Sequence, residues 1–407
     1  MAAIAVAGVV AFAAVAAFGS LQQDLVAYWV AGSVRRLGLD PYLNHAVRGP
    51  APALWDGSIF HHSRFLYPPL AAELFRPLAL LPYRAAKVVF TGILVAGWIA
   101  ATLALARGRR AAAAAAIAGA LFFPLALNLE RGQIDVLLLL LIVVAWNARG
   151  NAPLAGGLLA LAAVFKPALL GVLPVLAALG RWRWVGAALA WSALALLVTI
   201  ATSGAALARE YATSVLPRAA LYGEGGSDEM AFHERDLEPL AIDEHGERQL
   251  ADGRSYLIAL PLFDGPVSAS LPRLLAPAAP SWPTSLFPYL TAAAALVWAA
   301  RRRARAPRPP RAEDNDDEVL LLAAALVACV VTSPAGWAMG LIFALPLAPM
   351  VWTRAGAAAL TPWARWPLRG AWIACALPAP FSGWPALAGA ALVVAASAAA
   401  APGTARS

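Results

Sequence analysis

The chain has 407 residues, of which 61% are hydrophobic and only 13% carry a charged side chain. Soluble domains have about a quarter charged residues, so this composition excludes an ordinary soluble protein and indicates a membrane protein. The net charge of +8 comes almost wholly from arginine, since the chain has two lysines. Basic charge can indicate nucleic-acid binding, but these arginines flank apolar segments, which is typical of cytoplasmic loops. We therefore expect no nucleic-acid partner.

Long apolar runs predict an all-α membrane protein of about ten or eleven spans, forming one domain over residues 1–407. A spanning helix needs about 20 apolar residues, and a run at 66–82 is expected to dip into the membrane without crossing it. The first run lacks a basic start and many runs follow it, so we expect an uncleaved span rather than a signal peptide. The predicted spans are 2–19, 86–106, 111–127, 134–148, 152–165, 168–180, 184–202, 285–300, 319–332, 338–352 and 371–402, the last of which has room for one span or two. Cys329 and Cys375 lie in such runs, which predicts core residues rather than a disulfide.

Arginines in short loops set the predicted orientation, because cytoplasmic loops carry an excess of positive charge. Arginine groups lie beside spans at 107–110, 149, 181–183, 301–311 and 354–369. Alternating the spans places the N-terminus inside and makes 301–318 a cytoplasmic linker. The segments predicted to lie outside are 20–85, 128–133, 166–167, 203–284 and 333–337. The largest of them, 203–284, is acidic, which supports this orientation independently.

Residues 20–85 form the predicted first extracytoplasmic loop, in which polar, aromatic and helix-breaking residues are concentrated. Apolar spacing over 25–39 predicts an amphipathic helix at the outer interface. The loop also carries several arginines, against the usual charge bias of an outside loop. They are either tolerated because neighbouring loops fix the topology, or they bind phosphate, with Arg35, Arg36 and Arg64 as the candidates.

Asp24 follows the first apolar run by a few residues. A carboxylate at the water boundary can remove a proton from a hydroxyl if its pKa suits that role. The alternative is structural, because Asp is a favoured N-cap residue and a helix is predicted to begin at position 25. On position alone the capping interpretation is at least as good as the catalytic one.

A second group of polar residues lies between two apolar runs, at 128–135. Asn128, Glu130 and Gln133 offer donors and acceptors that suit sugar hydroxyls, and polar groups at the mouth of a span need partners or water. The alternative is a plain tight loop with Gly132 as its turn. The variety of polar residues favours a functional site.

Lys166 interrupts an apolar hairpin just before Pro167. A lysine at the end of a span either extends to the interface or neutralises a phosphate, and its rarity in this chain favours the second role. His61 and His62 are adjacent and point in different directions on any regular element, so they do not form a metal site by themselves. No nucleotide-binding or Cys–His motif appears, and we predict neither a metal nor a cofactor.

The order of these motifs resembles glycosyltransferase family 87, which consists of membrane enzymes of the GT-C type. Within that family the sequence is similar to the polyprenyl-phosphate-mannose-dependent α-1,2-mannosyltransferases. The matching residues are Asp24, Tyr28, Asp40-Pro41-Tyr42, Tyr67-Pro68-Pro69, Arg76-Pro77-Leu78, Leu80-Leu81-Pro82, Asn128-Leu129-Glu130-Arg131-Gly132-Gln133, Lys166-Pro167, and Ser333-Pro334 with Trp337. The family usually has one or two histidines after this tryptophan, where the present chain has Ala338, Met339 and Gly340.

The resemblance implies a GT-C-like hexosyltransferase of the cell membrane that uses a polyprenyl-phosphate sugar, with mannose as the family's sugar. The acceptor would be a glycolipid or polysaccharide, membrane lipids would surround the protein, and the active site would face outside the cytoplasm. Asp24 matches the family's catalytic base in an inverting reaction. The expected donor-phosphate contacts are Arg35, Arg36, Arg64 and Lys166. The expected sugar or acceptor contacts are Tyr28, Trp29, Tyr67, Asn128, Glu130, Gln133 and Trp337. The alternatives are a lipid-carrier flippase or transporter and a catalytically inactive envelope-assembly protein.

Overall fold

Helices dominate the structure, a computed structural model that describes most of the chain. The described residues are 1–20, 22–42, 65–105, 109–218, 241–242, 247–249, 255–257, 268–275, 282–305, 316–333, 336–352, 362–381 and 383–400. The predicted helical membrane architecture is confirmed for these residues. A small addition is a three-stranded antiparallel sheet of order β1-β2-β3 in the predicted acidic loop. Its strands are β1 (Ala241–Ile242), β2 (Glu247–Gln249) and β3 (Ser255–Leu257). Arg64 lies outside the described residues, as do His61 and His62, most of 203–284 and the centre of the 301–318 linker.

Eighteen α-helices are assigned in the described residues. The helices of the first half are α1 (Ala2–Gly19), α2 (Gln23–Arg36), α3 (Pro69–Phe75), α4 (Tyr83–Leu105), α5 (Arg109–Ala120), α6 (Phe123–Arg131), α7 (Asp135–Asn147), α8 (Ala152–Phe165), α9 (Leu173–Ala178) and α10 (Trp182–Ser203). Those of the second half are α11 (Ala205–Glu210), α12 (Leu216–Arg218), α13 (Leu271–Leu275), α14 (Trp282–Arg305), α15 (Asp316–Val331), α16 (Ala348–Trp352), α17 (Pro362–Ala376) and α18 (Trp384–Ala400). Short 3₁₀ segments occupy Leu78–Leu80, Pro167–Val172 and Ala338–Leu347, and a π-helical turn occupies Tyr211–Val215.

Three of the described helices are long and apolar enough to cross a membrane, namely α1, α4 and α10. Helices α5 and α6 are bent by 62° relative to each other, and they give a fourth span if the bent pair is counted as one. The predicted count of ten or eleven spans is not confirmed, because several apolar runs are broken into shorter helices. The run 371–402, for example, ends one helix and begins another around Pro378 and Pro380, since proline cannot continue a helix.

The core is centred on α15, in which every residue from Leu320 to Val331 is buried. It packs against α14, α18 and the 3₁₀ segment Ala338–Leu347. A helix that is apolar on all sides is stable only when it is surrounded by protein or lipid. Cys329 and Cys375 are free and buried, as predicted for core residues.

Helix α2 confirms a helix within 25–39, although it begins at Gln23 and ends at Arg36, but the predicted amphipathic helix at the outer interface is wrong because its residues are buried on every face. It packs closely on α3, where a Cβ atom at Gly32 would lie 2.7 Å from the carbonyl oxygen of Phe75. Most residues from Leu25 to Val34 are buried, on more than one side of the helix. Helix α2 is therefore enclosed by protein over most of its surface.

Helices α7 and α8 run antiparallel because only a short turn at 148–151 joins them. This arrangement places Asp135, at the start of α7, beside Lys166, which follows α8. We call this end of the helices, together with the start of α2, the site end. Arg149 lies in the turn at the opposite end of the same two helices, which we call the arginine end.

The turn after α6 leads into α7 and packs against α2. Gly132 has a φ of +66° and follows the last residue of α6, and the N–H of Gln133 donates to the carbonyl oxygen of Asn128 at 2.8 Å. A glycine in the left-handed region commonly ends a helix in this way. A Cβ atom at Gly132 would lie 2.7 Å from the Cβ of Leu25. The absence of a side chain therefore allows the turn to rest against α2 and directs Gln133 toward Asp24.

We predict that Gly132→Ala lowers the melting temperature of the protein in detergent. The left-handed backbone alone costs an ordinary residue about 1–2 kcal/mol, and the contact with Leu25 adds to that cost. Gly92→Ala is the matched control, because Gly92 lies within α4 and a Cβ atom there would meet nothing within 4 Å. Equal melting temperatures for the two variants would contradict this account of the turn.

Candidate active site

Asp24 lies in the first turn of α2 and does not act as its N-cap. Gln22 precedes the helix in a left-handed conformation, with φ of 58°, and makes no side-chain cap hydrogen bond. The Oδ2 atom of Asp24 instead accepts a hydrogen bond of 3.1 Å from Nε2 of Gln133. Its Oδ1 atom has no hydrogen-bond partner in the described part of the chain, and it is not sealed from solvent. One carboxylate oxygen is thus held and the other is open.

The surroundings of Asp24 raise its pKa to about 6 from an ordinary value near 4. Burial is the largest cause, because a carboxylate loses hydration when protein surrounds it. Arg131 and Lys166 oppose this rise through their positive charges, whereas Asp135 and Glu130 add to it. Since the side chain remains partly exposed, the carboxylate lies in a recess that is enclosed but reachable. A carboxylate with these properties is suited to general-base chemistry near neutral pH.

Tyr28 and Tyr67 complete the polar surroundings of Gln133. Tyr28 lies one helical turn after Asp24, on the same face of α2. Its hydroxyl group donates to Oε1 of Gln133 and lies 2.8 Å from the hydroxyl of Tyr67. The hydroxyl of Tyr67 also donates to Oε1 of Gln133, at 3.2 Å. Burial raises the pKa of both tyrosines, so both remain neutral hydrogen-bond donors.

Lys166 and Asp135 form an ion pair next to this group, with Nζ and Oδ2 2.7 Å apart. The Asp135 side chain is fully buried, whereas the Lys166 side chain is 21% exposed. An ammonium group has three donor hydrogens, and Asp135 is the hydrogen-bond partner of Lys166 in the described structure. The remaining donors are therefore available to a ligand.

A cleft of about 120 Å³ opens beside Lys166. We call it the Lys166 cleft, and its lining includes Tyr67, Lys166, Tyr211, Ser333 and Trp337. Its walls are mostly apolar, with few polar groups, as is usual for a small-molecule site. Because Tyr67 contacts both the cleft and Gln133, the cleft adjoins the surroundings of Asp24.

Arg35 and Arg36 lie away from Asp24. They follow it by three helical turns of α2, which corresponds to about 16 Å along the helix axis. Arg35 pairs with Glu73 at 2.8 Å, and Arg36 donates to the carbonyl oxygen of Ala79 at 2.7 Å. The structure therefore places these two predicted phosphate contacts at the far end of α2, in contact with α3 and the segment that follows it.

Three of the predicted sugar contacts, Trp29, Asn128 and Glu130, are instead hydrogen-bonded or ion-paired to other groups of the protein. Trp29 donates through Nε1 to the carbonyl oxygen of Leu81 at 2.9 Å. Asn128 is fully buried and donates through Nδ2 to the carbonyl oxygen of Met339 at 3.0 Å. Glu130 is also buried and pairs with Arg131 at 2.8 Å. These side chains support the walls of the site, whereas Tyr67 and Trp337 face the cleft.

Sequence reasoning did not assign roles to Arg131 and Asp135, although both belong to the polar group at 128–135. The positive charge of Arg131 lowers the pKa of Asp24 more than any other nearby group does, and Asp135 holds Lys166. The sequence contained a clue to the role of Asp135, which is an acidic residue at the start of the apolar helix α7. An acidic residue in such a position requires a partner.

The described chain combines long apolar helices with a partly enclosed carboxylate close to an ion-paired lysine. The model of glycosyltransferase family 87 matches residues 65–314, which is more than half of the chain. The chain belongs to this family and is a membrane glycosyltransferase. The matched region contains Tyr67, Gln133 and Lys166, whereas Asp24 and Trp337 lie outside it. No curated protein and no solved structure matches the chain.

The residues at the family's usual histidine positions are enclosed. Ala338 and Met339 are buried, and a Cβ atom at Gly340 would lie 2.9 Å from Cγ1 of Val330. The carbonyl oxygen of Met339 accepts from Asn128. This segment therefore joins α6 to α15 by packing, and Lys166 supplies positive charge at the cleft.

We predict that Lys166→Met destabilises the protein by about 3 kcal/mol, because it leaves the buried Asp135 carboxylate without its counter-charge. The double variant Asp135→Asn/Lys166→Met should recover a large part of this loss. The measurement is denaturant unfolding of the wild type, both single variants and the double variant in one detergent. Additive effects of the two single changes would show that the pair is not coupled.

Proposed function

We propose that this glycosyltransferase moves a hexose, with mannose as the sugar to test first, from a polyprenyl-phosphate donor to a hydroxyl group. The acceptor is a glycolipid or polysaccharide, and the reaction takes place at the extracytoplasmic face. One observation carries the proposal: Asp24 has one oxygen held by Gln133 and one oxygen open, and Gln133 is bonded to Tyr67, which lines the cleft that contains Lys166.

Asp24 is the proposed general base. Its open Oδ1 takes the proton of the acceptor hydroxyl while the hydroxyl oxygen attacks C1 of the sugar. The bond between C1 and the phosphate oxygen breaks, and the phosphate leaves with the bonding electrons. Attack from the face opposite the phosphate inverts the anomeric centre. A pKa of about 6 supports this role, because the carboxylate is ionised at neutral pH and still basic enough to take a proton.

Lys166 is the proposed contact of the donor phosphate. A cation placed beside the leaving group stabilises the charge that develops on it, and Lys166 has donor hydrogens free on the cleft side. The positions of Arg35 and Arg36 favour Lys166 over them, since both arginines are bonded at the far end of α2. Tyr67 and Trp337, which line the cleft, are the proposed sugar contacts.

An apolar groove supports a lipid-linked donor. The groove has a volume of about 200 Å³ and lies between α8, α10 and the start of α3. Tyr211 lines both this groove and the Lys166 cleft. Leu194 and Leu197 on α10 are exposed, as expected where a helix faces lipid tails. An isoprenoid chain could therefore extend from a phosphate in the cleft along the groove.

The charge distribution supports an extracytoplasmic site. Arg149 lies at the arginine end of α7 and α8, whereas Asp135 and Lys166 lie at the site end. Arg181, which precedes α10, pairs with Glu318 of α15 at 2.8 Å. Positive charge marks the cytoplasmic side of membrane proteins, so the site end would face the opposite side. Nucleotide sugars are not expected there, which is consistent with a lipid-linked donor.

We predict that Asp24→Asn lowers transfer by about 10²–10⁴-fold, the usual contribution of a general base. The assay follows label from a polyprenyl-phosphate mannose into a new acceptor in membranes that contain the protein. Asp40→Asn is the matched control, because Asp40 accepts from the backbone N–H of Tyr42 through an oxygen that asparagine retains. Wild-type turnover by Asp24→Asn would remove Asp24 from the mechanism. If the label crosses the membrane and no new glycosidic bond forms, the protein is a flippase rather than a transferase.

We predict that Lys166→Met also raises the KM for the lipid donor by about tenfold, since a hydrogen bond to a charged group contributes about 1.5–3 kcal/mol. Arg36→Met is the matched control and should leave this KM unchanged. The comparison uses initial rates at several donor concentrations. A rise in KM confined to Arg36→Met would assign the phosphate to the far end of α2.

A further inference from the structure

The amide group of Gln133 is bonded inside the protein through its oxygen and through one of the two N–H donors of its nitrogen. The residue is only 2% exposed. Its Oε1 atom accepts from the hydroxyls of Tyr28 and Tyr67 and from the N–H of Ile134, the last at 2.9 Å. Its Nε2 atom donates to Asp24. Because the side chain is almost fully buried, a sugar hydroxyl in the cleft has little access to it.

These contacts also determine which way the amide points. The N–H of Ile134 is a donor only, so it requires the oxygen of the Gln133 amide on its side. A flipped amide would place two donors against each other at this contact. The NH₂ group must therefore point at Asp24, where it meets a carboxylate that accepts hydrogen bonds most strongly in its ionised form.

We propose that Gln133 is a positioning residue, which holds Asp24 ionised with Oδ1 directed at the acceptor hydroxyl, and that it does not contact the sugar. This inference rests on the proposed role of Asp24 as the base. Gln133 is itself fixed by the turn at Gly132 and by the two tyrosines, so its donor is in place before substrate arrives. A hydrogen bond to the ionised form of an acid favours that form.

Other groups that face Asp24 also influence its ionisation. Arg131 and Glu130 approach from the end of α6, Asp135 from the start of α7 and Lys166 from the end of α8. The phenol groups of Tyr28, Tyr67 and Tyr83 also lie close to Asp24. All of these groups remain when Gln133 alone is changed, so a change at this position isolates the contribution of the amide.

The experiment measures kcat/KM against pH for the wild type and for Gln133→Leu. Because the base must be ionised, kcat/KM falls as the pH drops below the pKa of Asp24, which lies at about 6. We call this fall the acidic limb of the profile of kcat/KM against pH. Losing a hydrogen bond to a charged group should shift the acidic limb to higher pH by about one to two units. The KM values for donor and acceptor should stay within about twofold of the wild type, because the proposal gives Gln133 no contact with either substrate and a factor of two is under about 0.5 kcal/mol.

The matched control is Gln249→Leu, the same change at a glutamine of strand β2, which belongs to none of the groups that act on Asp24 in the described part of the chain. Its acidic limb should stay at the wild-type position. Gln133→Glu is a second variant that keeps the shape of the side chain if Gln133→Leu does not fold. It places a second acid beside Asp24, and the limb should move to higher pH because two close carboxylates resist joint ionisation.

An unmoved acidic limb together with a raised KM would overturn the inference and make Gln133 a sugar contact. An unmoved limb in the Gln133 variants, with Asp24→Asn inactive, overturns the positioning role alone. Full activity of Asp24→Asn overturns the proposed function itself. The two failures are therefore distinguished by the same set of proteins.

Discussion

The hydrogen bond from Gln133 to Asp24 joins two segments that are 109 residues apart in the chain. It depends on three local features: the left-handed turn at Gly132, the close approach of that turn to Leu25, and the start of α2 at Gln23, which places Asp24 in the first helical turn. Burying a carboxylate without partners would be costly, so the polar groups of α6, α7 and α8 are gathered around it. The fold at the site end follows from this requirement.

The same requirement explains how charge is arranged around the site. Arg131 and Lys166 favour the ionised form of Asp24, and each of these cations also has an acidic partner, Glu130 and Asp135. By formal charge the recess holds three carboxylates and two cations, a net charge of −1, and Lys166 is partly exposed to the cleft. A phosphate that enters the cleft would meet an ammonium that is already held in place, which reduces the cost of ordering it on binding.

The sequence predicted the local features better than the contacts between them. The helix at α2, the turn at Gly132 and the family were all accessible, because helix spacing, glycine and motif order are properties of short segments. The partners of Arg35 and Lys166 were not, because Glu73 and Asp135 become neighbours only through packing. The number of spans was also beyond reach, since runs such as 371–402 are interrupted by prolines that a count of apolar residues overlooks.

The most direct test of a single site built around Asp24 is a structure of the protein with a non-transferable polyprenyl-phosphate sugar analogue bound. The account predicts that the phosphate lies within hydrogen-bond distance of Lys166 Nζ, that the isoprenoid chain follows the groove past Tyr211, and that C1 of the sugar faces Asp24 Oδ1 across the space for an acceptor hydroxyl. A phosphate bound by Arg35 and Arg36, about 16 Å farther along α2, would contradict it.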